Sequence, residues 1–292
     1  MAFNWKTFRT RSLTAIIFVA VMLAGLLWNQ WSFLVLFTVI HFGCWWEYLQ
    51  LLEKIHKTSF HTYTKLGWML LGYGLMLLFC GPEFRILDYE LKGNFSLPVS
   101  LAGFVILVIG IFRSNGINLK SFGAAALGII YISLTWGLMM DMYGSDPIIR
   151  EEKGLLKLFI PLIIIGCMWV NDTMAYIVGS IIGKTPLSKI SPKKTWEGTS
   201  GGIILGSIIM GLIGYFFDSP EIFDQSLTFW IILAVVATIA GTIGDLFESK
   251  IKRMADVKDS GSLMPGHGGF LDRFDSLLIA VPFVWLYVRV FL

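Results

Sequence analysis

The chain has 292 residues, of which 55% are hydrophobic and 15% charged, and its formal net charge at pH 7 is +3. Soluble domains carry charge on about a quarter of their residues, so this composition excludes an ordinary soluble protein. Apolar runs long enough to cross about 30 Å of hydrocarbon recur along the whole chain, which also excludes a soluble enzyme with a single membrane anchor.

Taken in chain order, the apolar runs predict an all-α, polytopic integral membrane protein with about nine transmembrane helices. The basic N-terminal stretch leads into a long apolar run without a small-residue cleavage pattern, which favours a retained first helix over a signal peptide. We expect an N-terminal region of about five spans, 1–157, and a C-terminal region, 158–292, whose two polar loops (183–202 and 248–275) mark it as the catalytic part. The predicted spans are 12–28, 31–52, 66–81, 97–112, 121–140, 158–182, 201–217, 227–247 and 276–292.

The distribution of basic residues predicts the orientation of these spans. Lys and Arg accumulate in the cytoplasmic loops of membrane proteins. With the N-terminus in the cytoplasm, 17 of the 23 Lys and Arg residues fall on the cytoplasmic side. This orientation places both polar loops in the cytoplasm, facing the soluble nucleotides, and the C-terminus outside.

Some familiar motifs can be set aside. The three cysteines lie in or beside apolar runs without CxxC spacing, so we expect neither a disulfide nor a zinc site. The stretch "GSIIGKT" at 179–185 is one residue short of P-loop spacing, and no strand precedes it. His41 lies in the second span with Glu47 nearby, and we expect a buried, hydrogen-bonded histidine rather than a metal ligand.

Two polar residues interrupt the sixth predicted span. Asn171 and Asp172 lie well inside "LFIPLIIIGCMWVNDTMAYIVGSIIG", with Tyr176 one turn further along. A carboxylate at this depth costs at least about 2.5–3.5 kcal/mol on insertion scales. It is therefore expected to face a wet cavity and serve a site, although a buried polar contact between helices would also explain it.

The end of the eighth span carries a polar helix face. Asp245, Glu248, Ser249 and Lys252 follow one another at i, i+3, i+4 and i+7, which places them on one side of a helix. A solvated, salt-bridged helix end accounts well for Glu248. It accounts less well for Asp245, which lies at the hydrocarbon boundary.

The stretch "GSLMPGHGGFLDRFDS" at 261–276 combines glycines with charged residues. Glycines on both sides of His267, including Gly268 and Gly269, can turn backbone N–H groups toward an anion. Asp272 and Asp275 follow near the start of the last span, where aspartate suits a helix N-terminus. For Asp275, capping and a site role are equally compatible with the sequence. Capping accounts less well for Asp272, since one cap needs only one carboxylate.

Carboxylates from separate segments, surrounded by cations, are typical of a site for a divalent metal and phosphates. Mg²⁺ prefers one or two carboxylates with water and phosphate oxygens in its remaining positions, which suits Asp245 and Asp272. Lysine and arginine would then neutralise a polyphosphate and its leaving group. Lys193 and Lys194 in "SPKKTWEG" are further donors, unless they are ordinary cytoplasmic cations. We leave open whether a second cation accompanies Mg²⁺.

These motifs carry a family resemblance. The stretch "SKIKRMADVKDSGSLMPGHGGFLDRFD" resembles the signature of the phosphatidate cytidylyltransferases, also called CDP-diacylglycerol synthases. The stretches "NDTMAY" and "SPKKTWEG" are also similar to family motifs, so the resemblance is strong over roughly 165–276 and rests on hydrophobic character alone in the first five spans. The fixed polar positions of the signature are present as Ser249, Lys252, Arg253, Lys258, Asp259, His267, Asp272, Arg273 and Asp275.

The resemblance implies an integral membrane enzyme that condenses CTP with phosphatidic acid and releases pyrophosphate, leaving CDP-diacylglycerol in the bilayer. It associates Asp245 and Asp272 with the catalytic divalent metal, and it implies a cavity that admits lipid from the bilayer and nucleotide from the cytoplasm. The expected catalytic residues are Asp172, Asp245, Lys252, Asp272 and Arg273. The expected substrate-binding residues are Asn171, Lys193, Lys194, Ser249, Arg253, Lys258, Asp259, His267, Gly268, Gly269 and Asp275.

The expected partners are CTP, phosphatidic acid and the lipid bilayer of the inner cell membrane, with no nucleic acid, and a homodimer stays open. One alternative is a membrane transporter of an anionic substrate, because intramembrane polar residues and glycine-rich helices also occur along transport pathways. The concentration of charge at one cytoplasmic mouth argues against it. A related polyprenol kinase or archaeal-type lipid cytidylyltransferase is a further alternative.

Overall fold

The computed structural model describes residues 5–114, 118–143, 158–218, 223–261 and 268–292. Within these ranges the regular structure is almost entirely helical, with one short antiparallel hairpin of β1 (Arg85–Ile86) and β2 (Tyr89–Glu90). The all-α prediction is therefore confirmed. The α-helices are α1 (Trp5–Leu27), α2 (Gln30–His56), α3 (Thr62–Leu78), α4 (Ser96–Arg113), α5 (Leu119–Gly128), α6 (Thr135–Met142), α7 (Phe159–Ile182), α8 (Trp196–Phe217), α9 (Leu227–Met254) and α10 (Leu271–Phe291), and π-helical turns at Leu91–Phe95 and Ile129–Leu134 lead into α4 and α6.

The helices have the length and surface of a multi-pass membrane protein. Seven helical segments in the described part of the chain are long and apolar enough to cross a bilayer. The remaining two predicted spans, 12–28 and 66–81, coincide with α1 and α3, so the number of crossings and their orientation stay predictions. Large apolar side chains such as Leu97, Ile181 and Phe216 are about three-quarters exposed, which suits contact with lipid rather than water.

The described residues form two compact units that interleave along the chain. The first unit contains the residues up to Met140 together with Ile251–Phe274. The second contains Asp141–Lys250 and Asp275–Leu292. Most of the signature segment therefore packs with the N-terminal helices, although the sequence analysis grouped it with the C-terminal ones.

In the first unit, α2 is held at both ends by local capping. The Asn29 side chain accepts hydrogen bonds from the backbone N–H groups of Trp31 and Ser32, and the Ser32 hydroxyl accepts one from Asn29 N, so the helix starts in a capping box. It ends at Lys57, whose left-handed backbone (φ 51°) closes the last turn. The caps define where α2 begins and ends, and Glu47 is one of its buried residues.

A π-helical turn supplies a polar contact in the same unit. Ser133 lies in the turn Ile129–Leu134, and its hydroxyl accepts a hydrogen bond from Trp45 Nε1 at 2.8 Å. His41 Nε2 lies 3.0 Å from the same hydroxyl oxygen. The structure thus shows His41 as a buried, hydrogen-bonded residue, which confirms the interpretation made from the sequence.

In the second unit, a stripe of glycines lets α8 approach α7 closely. Gly198, Gly202 and Gly206 recur every four residues on one face of α8. A Cβ atom at Gly202 would lie 2.7 Å from the Ala175 Cβ and 2.8 Å from the Asn171 carbonyl oxygen. Small residues at this spacing are typical of closely packed membrane helices. The close approach places the polar residues of α7 beside the loop that precedes α8.

Candidate active site

The loop between α7 and α8 is folded back on itself, which fixes the position of its lysines. Backbone hydrogen bonds run from Leu187 N to Lys194 O at 2.7 Å and from Trp196 N to Thr185 O at 2.9 Å. The Glu197 carboxylate accepts hydrogen bonds from the backbone N–H groups of Lys184 and Thr185. Since hydrogen bonds join the two ends of the loop, Lys194 is held close to the end of α7 and the start of α8.

A cavity of about 410 Å³ in the second unit brings together five of the predicted site residues. Three elements line it: α7, the folded loop with the start of α8, and α9. We call the predicted residues around it the cavity cluster. They are Asn171, Asp172, Lys193, Lys194 and Asp245.

The charges of the cavity cluster are partly open to solvent. Lys194 Nζ forms an ion pair with Asp245 Oδ2, and the two side chains are 33% and 21% exposed. The Ser249 hydroxyl donates a hydrogen bond to Asp245 Oδ1 at 3.4 Å. Asp172 is exposed where it lines the cavity, so the structure favours the wet-cavity interpretation over a buried contact between helices.

Asn171 is the buried member of the cavity cluster. Its side chain is only 7% exposed, and its Oδ1 has no hydrogen-bond partner among the residues that the structure describes. Buried amide oxygens are normally hydrogen-bonded, since an unpaired one costs free energy. This oxygen is therefore a candidate acceptor for a group that enters the cavity.

The signature segment forms a separate cluster within the first unit. Lys252, near the end of α9, donates from Nζ to Asp272 Oδ1 at 2.6 Å, and the two side chains are 13% and 10% exposed. Asp272 Oδ2 accepts further hydrogen bonds from Ser260 N and Gly269 N, both at 2.8 Å, and from the Ser260 hydroxyl at 3.0 Å. Asp272 is thus held by backbone as well as by side chains.

The glycines of the segment allow this close approach. Gly268 has φ +83°, a left-handed conformation that side chains rarely adopt, and a Cβ there would lie 2.5 Å from Asp272 Oδ2. The sequence predicts that the glycine-rich stretch directs N–H groups toward an anion. In the structure, the Gly269 N–H points to the Asp272 carboxylate, and the contact of Gly268 and Gly269 with substrate stays a prediction.

The carboxylate of Glu47 on α2 completes this arrangement, and the sequence analysis did not assign it a role. It is 5% exposed and accepts hydrogen bonds from the Ser260 hydroxyl at 2.7 Å and from Phe270 N and Leu271 N, both at 2.9 Å. The signal was available, because Glu47 is a carboxylate inside an apolar span, the same criterion that singled out Asp172. We call Glu47, Lys252, Ser260, Gly269 and Asp272 the signature cluster.

The other predicted residues lie around these two clusters or outside the description. Arg253, Lys258, Asp259 and Arg273 are exposed in the first unit. Asp275 is the fifth residue of α10 and accepts a hydrogen bond from Ser276 N at 2.6 Å. It therefore lies beyond the first turn of the helix, whereas a capping residue would precede that turn. His267 lies outside the described residues. The roles assigned to these residues stay predictions.

Each candidate metal ligand faces a lysine. Asp245 pairs with Lys194, and Asp272 pairs with Lys252, so both carboxylates lie where a positive charge is favoured. No group of three or more His, Cys, Asp or Glu side chains suited to a metal ion occurs in the described ranges. Mg²⁺ does not require one, since it takes one or two carboxylates and completes its shell with water and phosphate. Each carboxylate is therefore chemically suited to Mg²⁺ that arrives with a nucleotide, and metal binding stays a prediction.

Comparison with known proteins agrees with this chemistry. Residues 9–291 match the sequence model described as the Cytidylyltransferase family. The phosphatidate cytidylyltransferase of Bacillus subtilis is 33% identical over 224 residues, which is 76% of this chain and 78% of that protein. The phosphatidate cytidylyltransferase of Haemophilus influenzae is 31% identical over 288 residues, covering 94% of this chain and 96% of that protein. The plant protein phosphatidate cytidylyltransferase 4, chloroplastic, of Arabidopsis thaliana is 31% identical over 212 residues.

The match reaches well beyond the motifs. It includes the N-terminal helices, where the sequence alone offered only hydrophobic character. This chain of apolar helices, with its Lys194–Asp245 and Lys252–Asp272 pairs, belongs to the cytidylyltransferase family.

Proposed function

We propose that the chain transfers the cytidylyl group of CTP to phosphatidic acid within the membrane, forming CDP-diacylglycerol and pyrophosphate. The family match over residues 9–291 carries this proposal, and the relatives named phosphatidate cytidylyltransferase supply the substrates. The intact polar signature from Ser249 to Asp275 agrees with it.

The reaction needs no nucleophile from the protein. A phosphate oxygen of phosphatidic acid attacks the α-phosphorus of CTP, the bond from that phosphorus to the bridging oxygen breaks, and pyrophosphate leaves with the electron pair. Both reactants are anions, so the main tasks of the enzyme are to hold them together and to stabilise the charge of the leaving group. This explains why the conspicuous side chains are cations and carboxylates rather than a serine or cysteine beside a base.

We assign the cations by their surroundings. Lys194 and Lys193 line the cavity of the second unit, where they can hold a phosphate that arrives from the lipid. Lys252, Arg253, Lys258 and Arg273 belong to the signature segment and would stabilise charge on the CTP phosphates. Lys252 is the most constrained of these, because it is already fixed by Asp272.

We propose that Asp245 and Asp272 are ligands for Mg²⁺ that binds with the phosphates of CTP. The proposal rests on the family signature and on the donor chemistry of the two carboxylates, each of which now pairs with an ammonium group. When bound, Mg²⁺ would withdraw charge from the phosphate oxygens. Lys194 and Lys252 would then exchange their carboxylate partners for phosphate oxygens of the substrates.

We also propose that the protein lies in the inner cell membrane with its active site facing the cytoplasm. The apolar helices are evidence for a location in the membrane, and the excess of Lys and Arg in the predicted cytoplasmic loops is evidence for the orientation. CTP would enter from the cytoplasm, and phosphatidic acid would enter sideways from the bilayer.

Two radiolabelled forms of CTP test the reaction. Purified protein in detergent with phosphatidic acid should move label from [α-³²P]CTP into the organic phase and leave the label of [γ-³²P]CTP in pyrophosphate. A polyprenol kinase would give label in lipid only from the γ position and only with an isoprenoid acceptor. Transfer to an isoprenoid lipid but not to phosphatidic acid would favour the archaeal-type enzyme, and absence of any transfer would overturn the proposal in favour of transport. Loss of transfer on addition of a chelator, restored by Mg²⁺, tests the metal.

A further inference from the structure

Glu47 of the signature cluster is a buried carboxylate that accepts three hydrogen bonds. Its Oε1 accepts from Phe270 N, and its Oε2 accepts from Leu271 N and the Ser260 hydroxyl. Burying an ionised side chain without such partners costs several kcal/mol of free energy. A glutamate is therefore tolerated inside a helix bundle only where specific hydrogen-bond donors surround it. Here the donors all come from the signature segment, more than 200 positions away in sequence.

The backbone around Glu47 is shaped to admit the carboxylate. Cβ atoms added at Gly261 or Gly269 would both overlap its oxygens. These two glycines are described residues on either side of residues 262–267. The Glu47 carboxylate on α2 therefore lies against described residues on both sides of that stretch.

Ser260 links Glu47 to the candidate metal ligand. Its hydroxyl oxygen lies 2.7 Å from Glu47 Oε2 and 3.0 Å from Asp272 Oδ2, and it also accepts a hydrogen bond from Asp272 N at 3.3 Å. Phe270 and Leu271, the other donors to Glu47, directly precede Asp272 in the chain. Every described hydrogen bond to the Glu47 carboxylate thus comes from a residue within two positions of Asp272 or from the hydroxyl that also contacts Asp272.

We propose that Glu47 is a positioning residue that fixes Asp272 for metal and nucleotide binding. It has no assigned catalytic role itself and acts by fixing the backbone at Phe270 and Leu271 and the hydroxyl of Ser260. The assignment rests on the proposed function in one respect, namely that Asp272 binds the metal. The positioning itself is a property of the chain that can be measured without turnover.

The test uses Glu47→Gln, which keeps the size of the side chain but replaces one acceptor oxygen by an NH₂ group facing backbone donors. The matched control is Glu53→Gln, two turns further along the same helix, where the carboxylate accepts from Phe60 N at 2.6 Å and from Lys65 Nζ at 2.8 Å. A second variant, Ser260→Ala, removes the link and leaves Glu47 in place. All three are compared with the wild-type full chain in detergent.

Hydrogen–deuterium exchange gives the readout that is independent of activity. In Glu47→Gln, amides of the peptide spanning 268–274 should exchange on the order of tenfold faster, because losing one hydrogen bond to a charged group changes opening by about that factor. Peptides from α3 and α4 should be unchanged, and Glu53→Gln should leave 268–274 at the wild-type rate. Equal loss of protection across the whole first unit would mean that Glu47 only supports folding, and it would overturn the positioning role.

Steady-state kinetics then separates positioning from general damage. In Glu47→Gln and in Ser260→Ala, the Mg²⁺ concentration for half-maximal cytidylyl transfer should rise several-fold, and the double variant should be no worse than the more impaired single one. A rise in exchange at 268–274 with unchanged Mg²⁺ dependence would sink the link to the metal. If the wild type itself transfers no cytidylyl group, the proposed function fails while the exchange result still decides whether Glu47 positions Asp272.

Discussion

The two candidate metal ligands are held in different ways. In the cavity cluster, Asp245 forms an ion pair with a lysine and accepts a hydrogen bond from a serine hydroxyl. Both side chains of the ion pair are a fifth to a third exposed. In the signature cluster, Asp272 forms an ion pair with a lysine and accepts hydrogen bonds from two backbone N–H groups and a serine hydroxyl, and its side chain is about nine-tenths buried. Asp272 is therefore fixed in place by the fold, whereas Asp245 is held by side chains that can exchange partners.

This difference suggests that the two carboxylates have different roles. A backbone-held carboxylate keeps its geometry through the catalytic cycle, which favours preorganised binding of charge. A carboxylate held by a partly exposed lysine can release that lysine to an arriving phosphate. The variants below are chosen to break this contrast or to sharpen it.

The largest effect should come from removing either carboxylate charge. Asp245→Asn and Asp272→Asn should each lower CTP-dependent turnover by at least about 10²-fold, since each removes a carboxylate charge that we propose binds Mg²⁺. Only Asp272→Asn should also speed hydrogen exchange at 268–274, because of these two aspartates only Asp272 accepts a hydrogen bond from that backbone, at Gly269 N. The control is Asp141→Asn, which breaks an ion pair with Arg289 in the second unit away from the cavity. Near-normal turnover in both site variants would show that the metal assignment is wrong.

The paired lysines should differ in their contribution to stability. Lys252→Met leaves a largely buried Asp272 without its cation and should lower the free energy of unfolding by about 1–3 kcal/mol. Lys194→Met breaks a more exposed pair and should cost about 0–1 kcal/mol. Thermal unfolding in the same detergent measures both. Equal destabilisation would mean that the two acid–lysine pairs are equivalent, which contradicts the contrast drawn from their burial.

The glycine stripe of α8 offers a smaller effect confined to the cavity cluster. Gly202→Ala places a methyl group against Ala175 and the Asn171 carbonyl, so α7 and α8 must separate slightly, at a cost of about 1 kcal/mol or somewhat more. Turnover should fall several-fold while exchange at 268–274 stays at the wild-type rate. Gly123→Ala is the control, because a Cβ there meets nothing within 4 Å. A full loss of folding in Gly202→Ala but not in Gly123→Ala would mean that the stripe supports the whole unit rather than the cavity.

The helices and most of the polar site residues could be predicted from the sequence, because long apolar runs and charged residues within them are visible there directly. Asn171, Asp172, Lys194 and Asp245 were predicted together, and they line one cavity. The packing of the signature segment with the N-terminal helices could not be predicted, since no local sequence pattern shows which helix a loop packs against. Glu47 shows the reason: its partners lie more than 200 residues away, so its role follows only from the fold.

The smallest perturbation compares access to the two clusters directly. The native cysteines Cys44, Cys80 and Cys167 are buried, so native protein should take up almost no maleimide, whereas denatured protein should take up three equivalents. Ser180→Cys, exposed at the cavity, should label within minutes, and Ser260→Cys, 4% exposed in the signature cluster, should label at least about tenfold more slowly, because reaction there needs local opening. Intact-mass spectrometry over a time course measures both rates. Equal rates would show that the signature cluster opens as readily as the cavity, and Asp272 would then be no more fixed than Asp245.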